Sequence, residues 1–201
     1  AAIKHPDAKI VTFAHVLGNP PNMDEVMKVV KDHDLILLED CCDALGSTYD
    51  GRPLGSFGDM ASCSFYPAHH MTMGEGGFVA CKDEHLETVV RSFREWGRGC
   101  YCVGPKANAL KCGTCNKRFS EWIPSLPGEI FDHKYVYEEI GYNLKPIELQ
   151  GAMGLEQLKK LDKNLEEETI VCYLRYMKSM KSFFIFQDQQ LSLIQVGLHF
   201  Q

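Results

Sequence analysis

Two strand-length apolar runs with a helix-length segment between them constrain this chain more than any other feature. KIVTFAHV (9–16) and LILLED (35–40) read as buried strands, with GNPPN (18–22) as a turn after the first. Asn22 stands where an N-cap belongs, ahead of the helix-patterned MDEVMKVVKDHD (23–34). Strand, turn, helix and strand within about 30 residues form a βαβ unit, which joins parallel strands. Short continuous apolar runs suit a sheet covered on both faces. The expected fold class is therefore α/β, with a mostly parallel sheet between helices.

The rest of the chain extends that pattern. MASCSFY (60–66) and GGFVAC (76–81) read as further strands, and DEHLETVVRSFREWG (83–97) as a helix opened near Asp83. Residues 98–132 are rich in Gly, Pro and Cys and read as a long functional loop. KPIELQGAMGLEQLKKLDKNLEEE (145–168) reads as one long amphipathic helix with Pro near its first turn. The tail after about residue 180 shows no clear pattern, and no internal repeat or low-complexity segment is visible.

Charge and cysteine content exclude several classes. The net charge of −6, with no Lys/Arg block, argues against a nucleic-acid partner. No apolar run reaches 18 residues, so no membrane span is expected. No signal peptide is visible, and the opening AAIKHPDAKI reads like the interior of a longer protein. Nine cysteines is a high count, but the chain is long for a secreted disulfide scaffold. Ligation of a metal or cluster by a subset fits better, with Cys63 and Cys81 as small hydrophobes in strand-like runs. The expected location is the cytoplasm.

Two short segments carry the chemistry. In LLEDCCDALGS (37–47), Asp40 ends the second strand of the βαβ unit. In open α/β sheets that end faces the ligand crevice, and a carboxylate there can hold a cationic ring nitrogen. A helix cap or turn role is the plain alternative for such an Asp. In SFYPAHHMTMGEGG (64–77), two adjacent histidines, His69 and His70, precede a Gly-rich turn.

Together these segments resemble the fold-type I pyridoxal-phosphate sugar aminotransferases of the DegT/StrS group. The matching features are ED–A–LG, then SF–P, a residue five after Ser64, then T–GEGG. Relatives carry at that position a lysine that binds the cofactor covalently, and this chain has His69. An imidazole cannot form that bond, but it can move a proton near neutral pH. The cofactor would then stay as pyridoxamine phosphate. His70 lies at the wrong offset and reads as structural. The resemblance further implies that Ser64 contacts the cofactor phosphate and that Asn143, in GYNLK, reaches the phosphate of a partner subunit. It places Asp43 near the cofactor's ring hydroxyl and HVLGNP (15–20) beside the active site. Lys145 could meet a phosphate, but a Lys at a helix start is usually just solvated.

The cysteine spacing narrows the branch. Cys42 is followed after 57 residues by Cys100, then Cys102 in C-x-C, then Cys115 just before NKRF. This resembles the four-cysteine pattern of the His-bearing 3-dehydrases that make 3,6-dideoxyhexoses, as do REWGRGCYC and DHKYVYEEIGYNLK. That branch carries pyridoxamine phosphate and a 2Fe–2S cluster, and four thiolates suit such a cluster. The last gap is longer here and contains Cys112. Cys115 is preferred as the fourth ligand for its NKRF context. From spacing alone, C-x-C with C-x-x-C (100/102 and 112/115) could equally make a four-thiolate zinc site.

The resemblance covers roughly residues 9–165 and implies C3 deoxygenation of a nucleotide-linked 4-keto-6-deoxyhexose, most simply the CDP-glucose derivative. His69 would move the proton, Asp40 would keep the cofactor ring protonated, and a flavin/iron–sulfur reductase would supply electrons through the cluster. A homodimer is implied as well. Other readings are a cluster-free GDP-sugar 3-dehydratase, an aminotransferase, which the missing lysine opposes, and a non-catalytic zinc module. Residues 1–165 are expected to be part of the cofactor-binding large domain, with 166–201 starting a C-terminal region that is truncated or divergent.

Overall fold

The structure is a computed structural model and describes His5, residues 7–99 and residues 116–166. The expected βαβ unit is present. Strand β1 (Ile10–Ala14) leads through a single 3-10 turn (Val16–Gly18) to helix α1 (Met23–Asp32) and then strand β2 (Ile36–Asp40). Asn22 caps α1 as its position implied, its side chain accepting from the Glu25 N–H at 3.2 Å. β1 and β2 pair in parallel from Ile10↔Ile36 to Ala14↔Asp40. A short hairpin follows, β3 (Thr48–Tyr49) against β4 (Arg52–Pro53). Strand β5 (Met60–Ser64) then pairs with β2 in parallel, and β6 (Gly77–Cys81) lies beside it, giving the sheet order β1-β2-β5-β6.

Alternation along the strands sets where the core lies. Leu37 is fully buried and packs with Met23 and Val30 of α1 and with Val11, Phe13, Val26 and Met27. The residues between them, Ile10 and Ile36, point the other way and are exposed. A second, smaller cluster joins Cys41, Ala44 and Ala61 under Leu54.

Contacts divide the chain into two compact units, with boundaries at Ala80/Cys81 and Lys145/Pro146. The first unit holds the β1–β6 sheet, α1 and two C-terminal helices. The long helix expected over 145–168 is instead α3 (Glu148–Leu158) and α4 (Leu161–Glu166), broken at Lys159–Lys160. Its amphipathic reading does not hold for α3, where Leu149, Met153, Leu155 and Leu158 are exposed and Gly154 is buried. Gly154 lies against Met73, so the helix touches this unit through its smallest residue.

The second unit opens with helix α2 (Glu84–Arg94), whose N-cap Asp83 accepts from the His85 and Leu86 N–H groups. Past α2, Trp96 and Gly97 both take positive φ, and a Cβ on Gly97 would run into the Glu139 carbonyl. The 98–132 loop is described at 98–99 and from 116 on, where β7 (Phe119–Ser120) pairs with β8 (Phe131–Asp132). Arg118 braces that pair, donating from Nε and Nη2 to Asp132 at 3.1 and 2.7 Å. No helix among the described residues is long and apolar enough to cross a membrane.

Candidate active site at the C-terminal end of β2

The parallel sheet brings five of the expected residues to one place. Asp40 is the last residue of β2 and pairs in register with Ser62 of β5, so Cys42, Asp43 and Ser64 follow from neighbouring strand ends. His69 is delivered by the turn after β5, where its N–H bonds the Tyr66 carbonyl at 3.0 Å. Its Nδ1 lies 3.1 Å from Asp43 Oδ1, and the Tyr66 ring stands edge-on to the imidazole at 6.5 Å. A carboxylate facing a ring nitrogen fixes which nitrogen holds the proton. Asp43, expected at the cofactor's ring hydroxyl, thus has its carboxylate on His69.

Asp40 suits a site for a cationic ring. Hydrogen bonds from the Cys42 thiol and from the Cys42 N–H (3.0 Å to Oδ1), with the nearby His69 charge, hold its carboxyl below the usual range despite partial burial. It is therefore ionised at neutral pH. A carboxylate kept ionised at a parallel strand end is the acceptor that a protonated pyridine nitrogen requires, so the residues fit the cofactor implied by the sequence. Ser64 Oγ is turned to its own loop, accepting from the Tyr66 N–H at 3.1 Å.

The cysteines differ among themselves. Burial, with Glu39 beside it, pushes the Cys41 thiol up to about 12. Burial, with Cys42 and Asp40 nearby, pushes Cys63 up to about 11. Both are closed inside the core. Cys42 is half-buried at the strand end, its thiol raised by burial and by Asp40. A metal would have to displace that proton, as thiolate ligation always does. Of the expected ligands, Cys100, Cys102 and Cys115 lie outside the described residues, as does Cys112. Of the four expected ligands, Cys42 alone lies among the described residues.

Asn143 belongs to the second unit. It forms an isolated antiparallel bridge with Glu95, next to the Trp96 N–H to Tyr142 carbonyl bond of 2.9 Å. Lys145 is not simply solvated: its Nζ reaches Glu95 at 3.3 Å and sits 5.1 Å from the Trp96 ring centre. His70 is partly buried, and burial lowers its pKa, in line with a structural role.

Sequence reasoning missed the knot behind the site. Glu39, fully buried, accepts from His15 Nε2 (3.0 Å) and from the N–H groups of Gly55 (2.9 Å), Phe57 (2.8 Å) and Gly58 (2.7 Å). These bonds tie the end of β1 and the 55–58 loop to β2, one residue before Asp40. Burial works against the Glu39 charge, yet the His15 bond and the three backbone donors prevail and its pKa falls. The signal was present: an acid in the strand at a buried parity needs several partners.

Comparison with known proteins agrees with this geometry. Residues 1–197 match the DegT/DnrJ/EryC1/StrS aminotransferase family. The chain is 48% identical over 160 residues to the lipopolysaccharide biosynthesis protein RfbH of Salmonella typhimurium, covering 80% of this chain and 35% of that protein. It is 47% identical over 153 residues to the dTDP-4-dehydro-2,6-dideoxy-D-glucose 3-dehydratase of Saccharopolyspora spinosa, covering 76% and 32%. The solved structure of the E. coli GDP-4-keto-6-deoxy-D-mannose-3-dehydratase with bound hydrated PLP matches with TM-score 0.60 at 29% identity, covering 79% of this chain and 37% of that one. The chain thus spans about a third of the length of these relatives. With the parallel sheet, the strand-end carboxylate and the histidine turn in place, the chain belongs to the DegT/DnrJ/EryC1/StrS aminotransferase family.

Proposed function

We propose that the protein removes the C3 hydroxyl of a nucleotide-linked 4-keto-6-deoxyhexose, most simply the CDP-glucose derivative, using pyridoxamine phosphate and a 2Fe–2S cluster. The observation that carries this reading is His69 at the turn after β5, its Nδ1 3.1 Å from Asp43 Oδ1. An imidazole held there can take and return a proton but cannot anchor the cofactor covalently. The relatives named for 3-dehydration of nucleotide sugars support the same reaction class.

Pyridoxamine phosphate, when bound, supplies a primary amine for the ketone and a ring that takes up an electron pair. The chain supplies the rest. Asp40, already ionised, holds the ring nitrogen protonated, Ser64 holds the cofactor phosphate, and Asn143 reaches the phosphate of the cofactor in a second subunit. His69 carries the proton that leaves carbon. Cys42, Cys100, Cys102 and Cys115 would hold the cluster, whose chemistry is one-electron transfer. The partners that follow are a flavin/iron–sulfur reductase and a second subunit, and the location is the cytoplasm. Residues 1–165 act as part of the cofactor-binding large domain, with 166–201 opening the C-terminal region.

The test uses full-length protein purified without air. Iron and sulfide should be present with a visible cluster absorption, and pyridoxamine phosphate should bind saturably. With the reductase, the 4-keto sugar should lose its C3 oxygen. A colourless, zinc-loaded protein, or amination of the ketone, overturns the proposal.

A further inference from the structure

We infer that Asp43 is the positioning residue for His69: it holds the imidazole in the Nδ1–H tautomer and thereby makes Nε2 the nitrogen that accepts the proton leaving carbon. This rests on the reading of His69 as the acid–base group, and it assigns which ring nitrogen works and which residue decides it.

The geometry is specific. Asp43 Oδ1 is 3.1 Å from His69 Nδ1, with the His69 side chain 21% and the Asp43 side chain 49% exposed. A carboxylate only accepts, so the facing nitrogen must carry hydrogen. Nε2 makes no hydrogen bond among the described residues, which leaves its lone pair for the reaction. Two further contacts limit the ring: the turn bond from the His69 N–H to the Tyr66 carbonyl (3.0 Å) and the Tyr66 ring standing at 71° to the imidazole. The neighbouring His70 has no such partner, since its Nδ1 is buried without a hydrogen bond. Of two adjacent histidines, the fold thus equips one with a carboxylate. When Nε2 takes the proton, the ring becomes a cation with hydrogen on both nitrogens, and the Asp43 charge lies against it.

The experiment reads the tautomer directly. Full-length protein loaded with pyridoxamine phosphate and labelled with ¹⁵N-histidine is observed by long-range ¹H–¹⁵N NMR, with His69→Gln identifying the His69 signals. The neutral wild-type ring should show a protonated Nδ1 and a bare Nε2. Asp43→Ala should shift it toward the Nε2–H form that free histidine prefers. Asp43→Asn, whose amide oxygen still accepts, should keep Nδ1–H. In turnover, Asp43→Ala should lower kcat by about 10²-fold with KM little changed, and Asp43→Asn should recover part of it. A wild-type ring with hydrogen on Nε2 overturns the proposal without any variant, as does an Asp43→Ala ring that keeps Nδ1–H. If the tautomers behave as stated but no 4-keto sugar is consumed, the proposed reaction fails and the positioning role stands.

Discussion

Replacing Glu39 by Gln tests whether the buried knot behind Asp40 holds the ligand end of the sheet together. The carboxylate accepts four hydrogen bonds, two on each oxygen: Phe57 and Gly58 on Oε1, His15 and Gly55 on Oε2. A glutamine would keep its oxygen on the Phe57 and Gly58 N–H groups and turn its amide N–H2 to the other pair. His15 can adapt by moving its hydrogen to Nδ1, which has no partner now, and accepting at Nε2. The Gly55 N–H cannot adapt and would face another donor, at about 1–3 kcal/mol. The two retained bonds lose their charge assistance, roughly 1 kcal/mol each. The sum is about 3–5 kcal/mol, a large part of a typical domain's 5–15 kcal/mol. Urea unfolding of the full-length protein, followed by circular dichroism at pH 7, measures it. The pH dependence adds a sign. The Glu39 pKa is lowered in the fold, so its contribution is complete above the unfolded value of 4.5 and is lost as pH falls through the folded value. Wild type should therefore lose more stability than Glu39→Gln on acidification through that window. A substitution costing under about 1 kcal/mol at pH 7, or identical acid-side slopes, refutes the reasoning.

Two further outcomes follow from the same packing. Gly151 and Gly154 share helix α3, but a Cβ on Gly151 meets nothing within 4 Å, whereas one on Gly154 would lie 2.8 Å from Met73 Cγ. Gly151→Ala should raise stability by about 0.5–1 kcal/mol through helix propensity, while Gly154→Ala should lower it, and melting temperatures of the two variants decide the order. Cys41 and Cys63, with thiols pushed to about 12 and about 11, should resist iodoacetamide at pH 8 in the folded protein and react fully once unfolded. Peptide mapping by mass spectrometry checks this, and rapid native labelling of either residue would contradict their burial.

Much of the fold could be read from local pattern because the elements concerned are locally determined. Asn22 and Asp83 cap the helices they precede, and the runs ending at Asp40 and Ser64 are strands paired in parallel. The misreading at 145–168 has a different origin. Good helix formers fill the segment, yet α3 ends at Leu158, and it meets its own unit at Gly154 against Met73. Nothing in a window of residues announces that contact. The 48–53 hairpin was missed because its strands are two residues each, too short for any alternation to register.

The site divides along the same line. Asp40 was legible because strand ends in parallel sheets face ligands, a rule that needs only topology. His69 was legible because a lysine was expected in its place. What these residues touch was not legible, since each contact crosses about two dozen residues of sequence: His69 meets Asp43 26 positions away, and His15 meets Glu39 at 24. The ED pair in EDCCD makes the division plain. Adjacent residues on a strand face opposite ways, so one carboxylate turns inward to hold His15 and the 55–58 loop while the other stays at the ligand end. The chemistry of Asp40 therefore depends on the burial of Glu39: a site carboxylate can be placed reproducibly only if the strand that bears it is tied, one residue earlier, to the segments on either side.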